Sequence, residues 1–230
     1  MTGSMIEIQG GGGTLPAYLS LPPARTGPGV IVIQEWWGLV PHIRNVTDRL
    51  ATHGFVALAP DLYHGRETTE PDEAGRLLME LRLDQTAQEL TATVDALLAR
   101  PETTGDAVGV VGFCMGGGLA LKLATLKPEV GAVVSYYGFP RQGLEWDLTR
   151  IKGAVLYHQA EHDDLVPDEL LAGMRAQLER AGIPAAFHHY PGTVHAFYND
   201  DRPEVHHAQA AELSWRRTLD LFRERLGGGT

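Results

Sequence analysis

The stretch AVGVVGFCMGGGLALKLAT, Ala107 to Thr125, decides the reading of this chain. Its β-branched, apolar half (Val108, Val110, Val111, Phe113) predicts a buried strand. Its Ala/Leu/Lys half carries a helical period, and small residues fill the turn between the two. Cys114 stands at the corner, centred in Gly112-Phe113-Cys114-Met115-Gly116, the spacing of a nucleophile elbow with a thiol in place of the usual serine. Glycines two before and two after are what such a corner requires, because the turn strains the nucleophile's backbone and leaves no room for neighbouring Cβ atoms. The following helix aims its N-terminal dipole and free N–H groups at the corner, which favours a thiolate and any oxyanion beside it.

Two other readings of the corner fare worse. A single cysteine after a strand is ordinarily a small buried hydrophobe, but packing alone gives no reason for the flanking glycines. A dinucleotide fingerprint would need a glycine where Cys114 stands, because a side chain there blocks the pyrophosphate.

Outward from this corner, strands and helices alternate. Strands are predicted at Ile6 to Gln9 and Pro16 to Leu21 around a Gly10 to Gly13 hairpin turn, then at Val30 to Ile33 and Phe55 to Ala59. The glycine run is not a phosphate loop, since no helix start or Lys-Ser/Thr follows it. A helix through Ile43, Val46 and Leu50 ends at Gly54, and helices over Asp72 to Leu81 and Asp84 to Ala99 lead into the Ala107 strand. Strands Val130 to Tyr136, Ala154 to His158 and Ala185 to Tyr190, with helices from Asp168 to Ala181 and from about Glu204 to Leu226, complete the pattern. Such alternation predicts an α/β fold with a mainly parallel central sheet covered by helices on both faces, and 230 residues suit a single domain over residues 1–230. The Gly227 to Gly229 tail is expected to fray.

Composition narrows the function. No apolar run approaches the ~20 residues of a membrane span, and a net charge of −10 without a basic cluster argues against nucleic acid. One cysteine excludes an internal disulfide framework and, with an N-terminus lacking the features of an export signal, fits the cytoplasm. A monomer or small homo-oligomer acting on a small molecule is the expectation.

A thiol nucleophile needs a base, and the base an acid to orient it. Asp163 lies just past the Ala154 strand and His195 just past the Ala185 strand, so the order along the chain is Cys114, Asp163, His195. That order belongs to the α/β-hydrolase arrangement rather than to other triad folds. At the end of the Val30 strand, Gln34-Glu35-Trp36-Trp37-Gly38 forms a second site loop, placed where open α/β sheets hold their ligands.

These loops carry a specific resemblance. Gln34-Glu35 with Trp36-Trp37-Gly38, Ala59-Pro60-Asp61-Leu62-Tyr63, Gly112-Phe113-Cys114-Met115-Gly116-Gly117, Asp163-x-x-Val166-Pro167 and His195-Ala196-Phe197 together resemble the dienelactone hydrolase (carboxymethylenebutenolidase) family. The resemblance implies an α/β-hydrolase fold, hydrolysis of a small ester or lactone, a Cys114-His195-Asp163 triad, and a glutamate, Glu35, facing the nucleophile. By position, the backbone N–H groups of Trp36 and Met115 are the oxyanion donors. Arg76 falls near a substrate-binding arginine of the family, and Trp37 and Phe197 join it as candidate substrate contacts. A second arginine expected four residues after the histidine is replaced by Asn199, which leaves the substrate open.

No metal or organic cofactor is expected. The histidines at His158, His162, His188, His189, His206 and His207 show no metal-ligand spacing; His188 and His189 alternate across a strand. Trp146 and Trp215 are expected to pack rather than bind. Among enzymes the alternative is a general carboxylesterase of other acyl preference; a thiol sensor or ligand-binding protein on the same fold is the alternative from another class, and it needs an exposed thiol of low pKa but neither Asp163 nor His195.

Overall fold

The structure is a computed structural model that describes residues 3–10, 12–139 and 147–227. In it the run ending at Phe113 becomes β5 (Thr103–Phe113), a central strand whose inner half is completely buried. Alternation explains why: Val111 and Phe113 face one core, while Val108 and Val110 face the other. The neighbouring β3 (Gly27–Ile33) divides in the same way, with Val30 and Val32 on one side and Ile31 and Ile33 on the other.

Eight strands form one sheet. β1 (Ser4–Gly10) and β2 (Gly13–Ser20) make an antiparallel hairpin, and β2 pairs antiparallel with β4 (Val56–Pro60). From there β4, β3, β5, β6 (Val130–Tyr136), β7 (Ala154–His162) and β8 (Ala185–Val194) run parallel, in the order β1-β2-β4-β3-β5-β6-β7-β8. Helix α1 (Pro41–Thr52) contributes Ile43, Val46 and Leu50 to the core on one face. The last helix joins it there through Trp215, Leu219 and Phe222. Between them in sequence come α2 (Pro71–Glu80), α3 (Leu83–Leu98), α4 (Met115–Leu126) and α5 (Asp168–Arg180), and the last helix is α6 (Ala208–Leu226). Helices α3, α4 and α5 cover the opposite face with Leu90, Val94, Leu119, Leu123, Leu171 and Leu178. The parallel strands end at one edge, so the loops after β3, β5, β6, β7 and β8 converge there. No helix among the described residues is long and apolar enough to cross a membrane.

Several elements differ from the sequence reading, and β3 and β5 begin earlier, at Gly27 and Thr103. β7 continues to His162 and β8 to Val194, past a register shift between Ala160 and His162, because Thr193 Oγ1 accepts a hydrogen bond from the Glu161 N–H at 3.2 Å. Helix α6 starts at Ala208 rather than near Glu204. The chain first turns on Arg202, whose carbonyl accepts from Val205 and His206, and His207 Nδ1 then caps the helix by accepting from the Ala210 N–H. A short 3₁₀ turn, Leu148–Arg150, was not anticipated. Trp146, Gly11 of the hairpin turn and the last residues of the glycine tail lie outside the described residues.

Candidate active site

Cys114 occupies a backbone conformation that side chains rarely adopt, φ 55° and ψ −121°, at the step from β5 into α4. Its N–H donates to the carbonyl of Tyr136 on β6 at 3.0 Å, and its carbonyl accepts from Gly117 at 3.0 Å, so strand and helix hold the corner from both sides. A Cβ on Gly112 would lie 2.0 Å from the Gly116 carbonyl oxygen. One on Gly116 would lie 2.4 and 2.5 Å from those of Gln34 and Ile33. Both glycines are therefore demanded by the approach of the elbow to itself and to the end of β3.

The acid and the histidine arrive from the adjoining strand ends. Asp163 follows β7; its Oδ1 accepts from the Leu165 N–H at 3.1 Å, and its Oδ2 accepts from His195 Nδ1 at 2.8 Å. His195 follows β8, with Tyr137 packed on its ring at 4.9 Å between centroids. Nδ1 is committed to Asp163, which leaves the buried Nε2 for Cys114, although no hydrogen bond is closed there. Burial works against a charged ring, but the hydrogen bond to Asp163 and the nearness of Asp163 and Cys114 outweigh it and lift the His195 pKa to about 10.

Glu35 is 1% exposed. Its Oε2 accepts from Asn199 Nδ2 at 2.6 Å and its Oε1 from the Tyr137 hydroxyl at 3.4 Å, so both oxygens are engaged by groups other than the thiol. The Gln34 side chain ties this loop to the β4 exit by accepting from the Leu62 N–H at 3.1 Å.

A cavity of about 380 Å³ opens over the elbow. Cys114, His195, Glu35, Trp36, Trp37 and Met115 meet at its wall, and Leu78, Phe139, Leu165 and Arg202 complete the lining with Ala196. Asp163 stands behind His195 with its carboxylate almost fully buried. Other sequence candidates fall elsewhere. Arg76 points into solvent, ion-paired with Glu73 one turn away, and does not reach the cavity. Phe197 is completely buried in the core behind His195, and Asn199 serves Glu35. Arg202, which follows just beyond Asn199 in the sequence, is in the lining, whereas Tyr137, which packs on His195 and donates to Glu35, is not among the sequence candidates. The signal for Tyr137 was its place just past β6, at the same sheet edge as the other loops. A larger neighbouring cavity of about 670 Å³ shares Trp37 and Arg202 but does not reach Cys114 or His195. No group of three or more His, Cys, Asp or Glu side chains among the described residues is arranged to hold a metal ion.

Residues 15–226 match the sequence profile of the Dienelactone hydrolase family. The chain belongs to the dienelactone hydrolase family. Among its relatives, the Aquifex pyrophilus protein usf is 36% identical over 97% of this chain and 99% of its own length. An Escherichia coli (strain K12) protein provisionally assigned as a carboxymethylenebutenolidase is 33% identical over 95% of this chain and 85% of its own. Among solved structures, a dienelactone hydrolase-like promiscuous phosphotriesterase from metagenomic libraries superposes with a TM-score of 0.89 at 26% identity, covering 98% of this chain and 99% of that one. The chain is thus an α/β hydrolase of the dienelactone hydrolase type, an enzyme acting on a small molecule.

Proposed function

We propose that the enzyme hydrolyses a small ester or lactone, of which dienelactone is the family's namesake, through Cys114, His195 and Asp163. The observation that carries this reading is the 2.8 Å Asp163–His195 pair set beside a cysteine on a strained elbow, within one cavity. The Cys114 sulfur attacks the carbonyl carbon as the carbonyl π electrons move onto oxygen. That oxyanion is received by the N–H groups of Trp36 and Met115, the first at the end of β3 and the second at the first turn of α4. When the tetrahedral species collapses, the C–O bond breaks and His195 gives its proton to the departing oxygen. The acyl group remains on sulfur as a thioester. His195 then takes a proton from water, hydroxide adds to the thioester, and the thiolate leaves. Asp163 holds the ring in the tautomer this requires and faces its positive charge. Glu35 is the acceptor for the thiol proton once bound substrate shifts it from Asn199 and Tyr137. Replacing it with glutamine should therefore change the pH-rate profile. A lone free thiol used as nucleophile suits a reducing cytoplasm.

The test is initial rates with cis- and trans-dienelactone and p-nitrophenyl acetate for the wild type and Cys114→Ala. Turnover of any of them, lost in the alanine variant, supports the reading. Absence of Cys114-dependent turnover contradicts it and favours a thiol sensor.

A further inference from the structure

We propose that the cavity over Cys114 selects uncharged esters with an apolar acyl group over carboxylate-bearing substrates. This rests on the hydrolase reading and names the substrate class of the same site. The cavity lining is mostly apolar, with Trp36, Trp37, Leu78, Met115, Phe139 and Leu165 facing it, and Leu165 is one of four large apolar side chains exposed among the described residues. Leu165 is 51% exposed and lines the cavity directly. Exposed apolar surface gathered at a cleft is characteristic of a site that an apolar ligand covers.

The two sides of the cavity have different tasks. His195 delivers its proton to the leaving oxygen, so the leaving group lies on its side, where the Phe139 ring stands 6.3 Å from the imidazole. The acyl group then lies away from His195, and Trp36 and Leu78, which pack onto the Met115, Tyr63 and Leu77 cluster, supply an apolar wall for it. That wall is apolar and held in place from behind by α2, and the Tyr63 hydroxyl contacts Met115 Sδ at 3.6 Å.

Charge points the same way. Arg202 is the one cationic arginine or lysine lining the cavity among the described residues. Its Nε and Nη2 both lie 2.9 Å from a Glu204 oxygen, and its guanidinium rests 5.4 Å over the Trp37 ring. A substrate carboxylate would have to share Arg202 with Glu204 while lying in the same cavity as Glu35.

The experiment measures kcat/KM for p-nitrophenyl acetate, butyrate and hexanoate, for a p-nitrophenyl ester of matched length ending in a carboxylate, and for trans-dienelactone. Wild type, Cys114→Ala and Leu78→Ser are compared. For the wild type, kcat/KM should rise with chain length by up to about fourfold for each methylene buried. The carboxylate-ended ester should be at least about tenfold poorer than its neutral counterpart. Leu78→Ser should lower the hexanoate-to-acetate ratio. Rates independent of chain length, or preference for the carboxylate-ended ester or the dienelactone, would overturn the inference while leaving the hydrolase reading intact. Rates that persist in Cys114→Ala would overturn both. The wild-type series decides the matter even if Leu78→Ser does not fold.

Discussion

At the elbow, Cys114 is positioned by backbone: hydrogen bonds to β6 and α4, and two glycines in contact with neighbouring carbonyls. Across the cavity, α2 offers side chains instead, with Leu78 on the wall and Arg76 and Met79 in solvent. The first region tolerates almost no substitution because backbone atoms cannot move aside. The second can change residue by residue without disturbing the sheet. Chemistry is therefore built into the fold, and choice of substrate is laid over it.

This contrast gives a ranked set of expectations. Asp163→Asn should lower kcat by about 10³-fold with the fold intact, because the ring loses the partner that sets its tautomer and balances its charge; steady-state kinetics beside a circular dichroism spectrum would check it. Gly116→Ala should destabilise the protein by about 3 kcal/mol in urea unfolding, since the added methyl meets two backbone carbonyls rather than a movable side chain. The imidazole of His195 should remain protonated until the pH approaches about 10, as followed by side-chain NMR, and Asp163→Asn should bring its titration down. Its folded pKa lies above the ordinary value of 6.5. The stability it contributes is accordingly complete below about 6.5 and is lost as the pH rises through about 10. Arg76→Ala, on the outer face of α2, should alter kcat/KM by less than about twofold; a larger loss would draw α2's polar face into the site and blur the contrast.

The same division governs what could be read from the chain. The alternation of strands and helices around the elbow and the placing of Asp163 and His195 after successive strands were legible, because local periodicity and glycine spacing carry them. The extension of β7 and β8 was not, since pairing across the bulge at Ala160 depends on Thr193 reaching Glu161. Nor was the clamp on Glu35, which brings in Tyr137 and Asn199 from 102 and 164 residues away along the chain. Arg76 suggested a binding residue by its position in sequence, but the rotation of α2 turns it to Glu73 and solvent. Arg202 reaches the cavity only because the chain turns before α6, and that delay has no periodic signal.

In the proposed mechanism Cys114 carries the acyl group between two half-reactions. Rapid acid quench of the enzyme with p-nitrophenyl acetate, followed by intact-mass and peptide mass spectrometry, tests it most directly. The account predicts a burst of nitrophenol that matches the enzyme concentration, with an acetyl adduct on the Cys114 peptide. An acetyl group on any other residue, or turnover that persists in Cys114→Ala, would contradict it.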